Sequence, residues 1–355
     1  MAFNSTTNKV SRVNKKPIHA EMTVEEIYKT LPVYSTKDKV LIIDGDILAY
    51  RVATVCEFKH LWTHKSTGEE IRSKSKGEFE KHCTKKGLDI DMFDCVDDVK
   101  PEPLSMVHST LEESLQGLLT FTGCNVYEIY VTGSDIFRND LPLPTQYKDC
   151  RSQPRPHWLK QAKDRLVKKF GAYIVKGVEP DDIEQRRIRD LYFEKIKVIL
   201  YSNDKDARQG IDYKTMMFNP DLRDISFYKG GIGELYDTSA GVKGYGLKWL
   251  LFQTAIFDKI DNYKMNSHYI KRYGEKSFYK DFNGCTDCKI LIESVMRLWK
   301  ERLPEITSYT SFDGKKIEYT RLELVELYYA CAKMQDGIFH TFKELCEHYG
   351  VAYEL

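Results

Sequence analysis

The sequence predicts an α/β protein, with a mostly parallel central sheet flanked by helices and a C-terminal helical region. Three observations predict it. Short runs rich in β-branched and aromatic residues recur at Val40 to Ile43, Val126 to Val131, Ala172 to Val175 and Lys197 to Tyr201, and segments with helical spacing separate them. That alternation is the signature of a parallel sheet covered on both faces. Acidic residues follow three of the four runs, and in open α/β sheets the residues just past the strand carboxyl ends meet at one crevice. From about residue 245 onward strand patterns stop and helical ones take over.

Taken in order, residues 1–21 read as a flexible tail rich in Asn, Ser, Thr and Lys, followed by a short helix from Thr23 with Glu25 and Glu26 in its first turn. Val40 to Ile43 is a buried strand ending in Asp44-Gly45-Asp46, and Ile47 to Val55 continues as a helix with Asp46 as its cap. Phe58 to Thr63 and Glu70 to Ser73 flank Lys65-Ser66-Thr67-Gly68, a hairpin pattern in a solvated insertion rich in Lys and His. Residues 87–103 read as an acidic loop. Ser105 to Thr122 carries apolar residues at 107, 111, 115, 118 and 119, which is helical periodicity. Lys160 to Phe170 is a basic amphipathic helix. Pro180 suits the first turn of a helix running to about 194, and Asp181 and Asp182 are favoured beside it by the unpaired N–H groups and the dipole. Helical patterns at 246–257, 287–302 and 319–333 close the chain, and no internal repeat is visible.

Across 355 residues, 54 basic side chains face 53 acidic ones, a formal net charge of +1. No global attraction to a polyanion follows, so any basic surface is local. Nine scattered cysteines, an odd number, point to a reducing compartment rather than a disulfide framework. Cys285 and Cys288 form a lone CxxC and read as helix-entry thiols, not metal ligands. Residues 1–20 lack the apolar core of a signal peptide, and Leu247 to Phe257 is too short and too interrupted to span a bilayer. The expectation is a soluble cytoplasmic protein without a membrane partner.

Helix-end chemistry accounts for one or two acids, not for four groups of them. Glu179, Asp181 and Asp182 form one group; Asp44 with Asp46, Asp204 with Asp206, and Asp258 with Asp261 form the others. Carboxylates gathered at one crevice repel unless cations lie between them. Hard oxygen ligands in that number suit Mg²⁺ or Mn²⁺, so a metal site is expected.

With those residues in order, the chain resembles the bacteriophage-type 5′→3′ exonuclease and flap endonuclease family, whose catalytic domain is PIN-like. The likeness runs from about Val40 to Tyr263 through Ile43-Asp44-Gly45-Asp46, a Tyr-Lys-x-x-Arg block (Tyr147, Lys148, Arg151), Gly-Val-Glu-x-Asp-Asp at 177–182, Ser-x-Asp-x-Asp at 202–206 and Asp-x-x-Asp-Asn at 258–262. Each motif alone is weak; the ordered set is specific. The resemblance implies a PIN-like metal-dependent nuclease domain over 39–245, with a hairpin insertion at about 56–86 and a basic helical gateway at about 138–171. Residues 1–38 precede it as a tail and short helix, and 246–355 follow as a helical DNA-binding region.

The same resemblance implies hydrolysis of phosphodiesters in DNA, and in RNA of RNA–DNA hybrids, with two Mg²⁺ or Mn²⁺. Asp44, Glu179, Asp181 and Asp182 would serve the first ion and Asp204, Asp206, Asp258 and Asp261 the second, some through water. Such a pair activates the attacking water and stabilises charge on the phosphate. Tyr147 is assigned to stack on a terminal base, and Lys148 and Arg151 to neutralise the phosphate oxygens. Arg138, Arg155, Lys160, Lys163, Lys271 and Arg272 are candidate DNA contacts. The stretch around Lys160 and Lys163 lines a single-strand channel or is a solvated basic helix anchored by Trp158. The implied partners are the 5′ ends and flaps of DNA, met by a monomer in replication, repair or degradation of DNA in a phage-infected host.

The chain departs from the family pattern at four places. Relatives carry an aspartate where this sequence has Gly133; either Asp135 substitutes, or the site has one ligand fewer. Phe257 stands where a glycine commonly precedes Asp258, and Pro180 replaces an alanine. After Asn262 the glycine-rich duplex-binding motif is not legible, and a basic, aromatic stretch from Tyr263 to Asn283 stands in its place. A PIN-type ribonuclease and a catalytically weak nucleic-acid-binding protein are the alternative readings.

Overall fold

The computed structural model describes residues 20–150, 154–256, 258, 260–265 and 273–355. The chain begins with Glu21–Met22 (β1) and Val24–Tyr28 (α1), whose cap Thr23 accepts from Glu26 N at 3.3 Å while Glu26 Oε2 accepts from Thr23 N at 2.8 Å. Lys39–Asp44 (β2) leads directly into Gly45–Val55 (α2). A lobe follows, made of Glu57–His64 (β3), Glu70–Ser73 (β4), Lys76–Lys86 (α3) and Phe93–Pro101 (β5). The chain then returns through Leu104–Thr122 (α4), Val126–Thr132 (β6), Leu159–Phe170 (α5), Tyr173–Val175 (β7), Pro180–Phe193 (α6) and Lys197–Tyr201 (β8). Thr215–Asn219 (β9) and Asp224–Tyr228 (β10) complete the main sheet.

That sheet has the order β1-β7-β6-β2-β8-β9-β10, parallel throughout except for the β9–β10 edge hairpin. Its centre is β2, with Asp44 opposite Tyr130 on one side and Ile43 opposite Tyr201 on the other. Alternation along β2 fills both faces. Leu41 and Ile43 join the core under α2, α4 and α5, whereas Val40 and Ile42 join the core under α1 and α6. The chain steps outward from β2 to β6 to β7, then α6 carries it back across to β8. The direction of winding reverses at β2, so Asp44 sits at the switch point where such sheets open a crevice.

A third core gathers the C-terminal elements, Glu234–Thr238 (β11), Gly241–Tyr245 (β12), Gly246–Ala255 (α7), Glu275–Phe282 (α8), Cys288–Arg302 (α9), Ile306–Thr310 (β13), Lys316–Thr320 (β14), Arg321–Ala332 (α10) and Phe342–His348 (α11). Leu143 and Tyr147 belong to it too, which ties the β6–α5 connection to this region. The lobe has its own small core, in which Trp62 stacks on Phe79 at 4.0 Å between ring centres.

Several expectations need correction. Residues 93–101 are not a loop: β5 pairs with β3 as an edge strand, with Asp94 and Asp97 exposed along it. Glu21, expected in the tail, pairs with Ile174 in the sheet. Strands do not stop at 245, because β13 and β14 form a later hairpin, and β9 to β12 were also illegible. Residues 1–19 lie outside the described residues. No helix among the described residues is long and apolar enough to cross a membrane.

Candidate metal centre

Four chain segments bring carboxylates to the carboxyl edge of the sheet. Asp44 ends β2 and caps α2, accepting from Ile47 N at 2.9 Å. The cap is therefore Asp44, not Asp46, whose carboxylate instead accepts from Thr132 and pairs with Lys163 at 2.7 Å. Gly45 between them is required by close approach: a Cβ there would lie 2.6 Å from Tyr130 O. Burial, then repulsion from Asp46 and Asp204, pushes the Asp44 carboxyl up to about 7.

The start of α6 supplies the second group. Pro180 occupies its first position and Glu179 precedes it, as the sequence predicts. Asp182 is 1% exposed and saturated: Arg138 grips it with bonds of 2.6 and 2.8 Å, and the N–H groups of Gln335 and Glu179 donate at 2.8 and 3.0 Å. Burial opposes its charge, but Arg138 more than offsets that and holds the carboxyl below its usual range. Asp182 is thus a structural acid here rather than an open ligand. Arg138 is itself 0% exposed, with its remaining N–H groups on the carbonyls of Cys331 and Lys333. It is corrected from a DNA contact to an internal clamp.

Asp181 is different. Its Oδ1 is sealed from solvent with no hydrogen-bond partner. Burial first, then Glu179 and Asp182, hold its carboxyl well above the usual range, against the pull of Lys148. Glu179 meets Arg138 at 3.3 Å and also accepts from Lys148.

The third and fourth groups meet each other. Ligand atoms of Asp206, Asp258 and Asp261 lie within 4.8 Å of one another, and all three residues are buried. Asp206 accepts from Gln253, Asp258 from Lys205 and from Ile260 N at 2.8 Å. Asp204 lies one turn away, accepting from Asp206 N at 2.8 Å. Burial, then Asp204, raises the Asp206 carboxyl well above its usual range.

Tyr147 and Lys148 join the halves. The Tyr147 hydroxyl lies 3.1 Å from Glu179 Oε2 and 3.0 Å from Asp261 Oδ2, so it donates to one while standing beside the other. At 4% exposure, with its ring in the C-terminal core, Tyr147 has no face for a base, and the stacking role is withdrawn. Lys148 Nζ reaches Glu179 and lies 3.7 Å from Asp261. Burial opposes its charge, but Asp261, Glu179 and Asp181 outweigh it and hold the ammonium above its usual range. Its backbone is left-handed, with φ 59°, as is Asn262 at 63°. Lys148 N donates to Asp261 O at 3.0 Å, Asn262 Nδ2 to Gln146 O at 3.0 Å and Thr145 Oγ1 to Asn262 O at 2.9 Å, lacing the segments together.

The basic stretch divides. Arg155 and Lys160 are exposed, Lys163 turns toward Asp46, and Arg165 and Lys169 pair with Glu112. Trp158 donates to Glu102 O at 2.8 Å and packs under α5, the anchoring role. Asp135 does not replace the acid missing at Gly133: it pairs with Lys176 at 3.1 Å on the surface. Arg151, Phe257, Lys271 and Arg272 lie outside the described residues.

Sequence reasoning missed Glu184. It is 1% exposed, its Oε1 has no partner, and burial followed by Asp44 and Asp181 raises its carboxyl well above the usual range. Its spacing of three from Asp181 was the available signal, because residues three apart share a helix face.

The donor set fits a hard divalent cation. It is all oxygen, largely buried, mutually repelling and short of hydrogen-bond donors from the protein at Asp181 Oδ1 and Glu184 Oε1.

No family model matches the chain, and no curated protein does. Among solved structures, the chain is similar to bacteriophage T5 5′-exonuclease with bound zinc, at 15% identity and a TM-score of 0.48, covering 88% of this chain and 97% of that one. It is also similar to a bacteriophage T5 flap endonuclease in complex with DNA and metal ions, at 14% identity and a TM-score of 0.47, covering 88% and 96%.

Proposed function

We propose that the chain is a divalent-metal-dependent nuclease that hydrolyses DNA phosphodiesters at 5′ ends and flaps. The observation that carries the reading is the meeting of Asp44, Glu179, Asp181, Asp204, Asp206, Asp258 and Asp261 at one sheet edge, with a carboxylate oxygen of Asp181 buried and unpartnered. Such an arrangement repels itself and is stable in function only around cations. The 5′ polarity comes from the ordered family motifs, as do action on RNA in hybrids and a role in DNA replication or breakdown in a phage-infected cell.

Bound Mg²⁺ or Mn²⁺ would supply Lewis acidity and a water acidified for attack on phosphorus. The chain's own residues set the frame. Asp44, Asp181 and Asp204 hold the crevice side, and Asp206, Asp258 and Asp261 hold the loop side. Tyr147 fixes Glu179 relative to Asp261, while Arg138 fixes the start of α6 by gripping Asp182. Lys148 keeps a positive charge at the edge, suited to a non-bridging phosphate oxygen. Arg155 and Lys160 are free to follow a sugar–phosphate backbone.

The test is a set of 5′-labelled substrates of one sequence, a flap, a nick, a blunt duplex and an RNA–DNA hybrid, incubated with Mg²⁺, Mn²⁺ or EDTA. Cleavage that requires metal and a 5′ end is expected. Intact DNA substrates in both metals would overturn the reading, and cleavage restricted to RNA would replace it with the ribonuclease alternative.

A further inference from the structure

We infer that Glu184 is a further carboxylate of the divalent-cation site, bound to the ion directly or through one water on the side of Asp44, Asp181 and Asp204. This rests on the reading above that these acids hold Mg²⁺ or Mn²⁺.

Glu184 follows Asp181 by three residues on α6 and so lies on the same face of the helix. It is 1% exposed, and among the described residues its Oε1 meets no hydrogen-bond donor. The charged groups acting on it are Asp44, Asp181, Asp46 and Asp204, all of its own sign. Of the basic residues that follow on the helix, Arg186 lies over the Tyr28 ring, 4.6 Å from its centre, and Arg187 grips Glu128 with bonds of 3.0 and 2.8 Å. A sealed carboxylate facing four others is heavily penalised unless a cation compensates it.

A neutral side chain of the same size would remove that penalty, and the next residue shows that this helix tolerates one. Gln185 is 0% exposed and its Oε1 accepts from Tyr213 at 2.9 Å. The end of β6 cannot provide an acid, because a Cβ on Gly133 would lie 2.5 Å from Val175 O. The crevice wall beside Asp44 therefore takes its extra carboxylate from the second turn of α6.

The experiment compares the full-length wild type with Glu184→Gln, both stripped of metal. Mn²⁺ affinity is read by titration calorimetry and electron paramagnetic resonance, and melting is followed with and without Mn²⁺. The variant is expected to bind Mn²⁺ roughly 10–100-fold more weakly, to melt higher than wild type without metal, and to gain less from its addition. Unchanged Mn²⁺ affinity and stoichiometry would overturn the inference and leave Glu184 a buried neutral acid with a structural role. Absence of Mn²⁺ binding by the wild type would overturn the site reading itself, a separate failure. Should the variant not fold, a wild-type crystal soaked in Mn²⁺ decides. Its anomalous peak lies within about 2.0–2.6 Å of a Glu184 oxygen or one water away, or the inference fails.

Discussion

The two halves of the acid site are held in opposite ways. On the α6 half, charge compensation goes to Asp182, which Arg138 saturates, and to Glu179, which Lys148 and Arg138 reach, while Asp181 Oδ1 and Glu184 Oε1 are sealed without partners. On the other half compensation is spread out: Asp206 has Gln253, Asp258 has Lys205 and a backbone N–H, and Asp261 has Tyr147. The first half rides on a helix end anchored by a buried guanidinium. The second rides on a short loop whose acids are propped by protein donors. A site can thus be kept open for cations by starving some carboxylates and by lending others a replaceable ammonium.

Substitutions on the two halves should differ in the size of their effects. The largest concerns the clamp. Replacing Arg138 by Met leaves Asp182 buried and unpaired, which should cost about 3–5 kcal/mol. Urea unfolding of the single variants and of the double variant with Asp182→Asn measures it, and a loss under about 1 kcal/mol would show that the guanidinium is not what holds α6. Next, Asp181→Ala should lower turnover by roughly 10²–10³-fold while raising the melting temperature of the metal-free chain, because repulsion is relieved. Asp258→Ala should also lower turnover but should reduce metal-free stability, since Lys205 loses its partner. Equal stability changes in the two variants would erase the contrast.

A smaller effect is the pH dependence of the metal-free chain. Asp44 titrates at about 7 when folded, against an ordinary value of 3.8. Below the lower value it is protonated in both states; between the two, only the folded chain keeps the proton. Stability from this group therefore falls as pH rises through that window and is lowest above about 7. Melting curves in EDTA from pH 4 to pH 8 should descend, and Mg²⁺ should recover more at pH 8 than at pH 5. A flat profile would place Asp44 in a polar, uncoupled setting. The smallest effect is at the rim. Arg155→Ala with Lys160→Ala should reduce the salt slope of DNA binding by about 2 and leave stability within about 0.5 kcal/mol.

Much of the sheet was legible because its strands are nearly unbroken apolar runs ending in acids. Lys197 to Tyr201 was read to the residue, and the acids fall at strand and helix ends where local chemistry tolerates them. What escaped was pairing. Arg138 looks like a surface cation until Asp182, far along the chain, is seen to take both its terminal nitrogens. Tyr147 reads as a stacking ring, and only the arrival of the C-terminal core buries it. Glu184 carries no motif in the sequence, yet it is buried among like charges from other segments. The strand β5 hid because its Asp94, Asp97 and Asp98 look like loop residues, and an edge strand that stays largely exposed tolerates them.

The guanidinium of Arg138 has one more consequence. It reaches the carbonyls of Cys331 and Lys333, and Asp182 takes the N–H of Gln335. A nascent chain still short of residue 335 lacks those partners, although every acid of the crevice has already been synthesised. The acidic edge is therefore secured only once residues 331–335 have been made, and a product terminated before α10 ends would carry the full set of carboxylates on an unsecured helix.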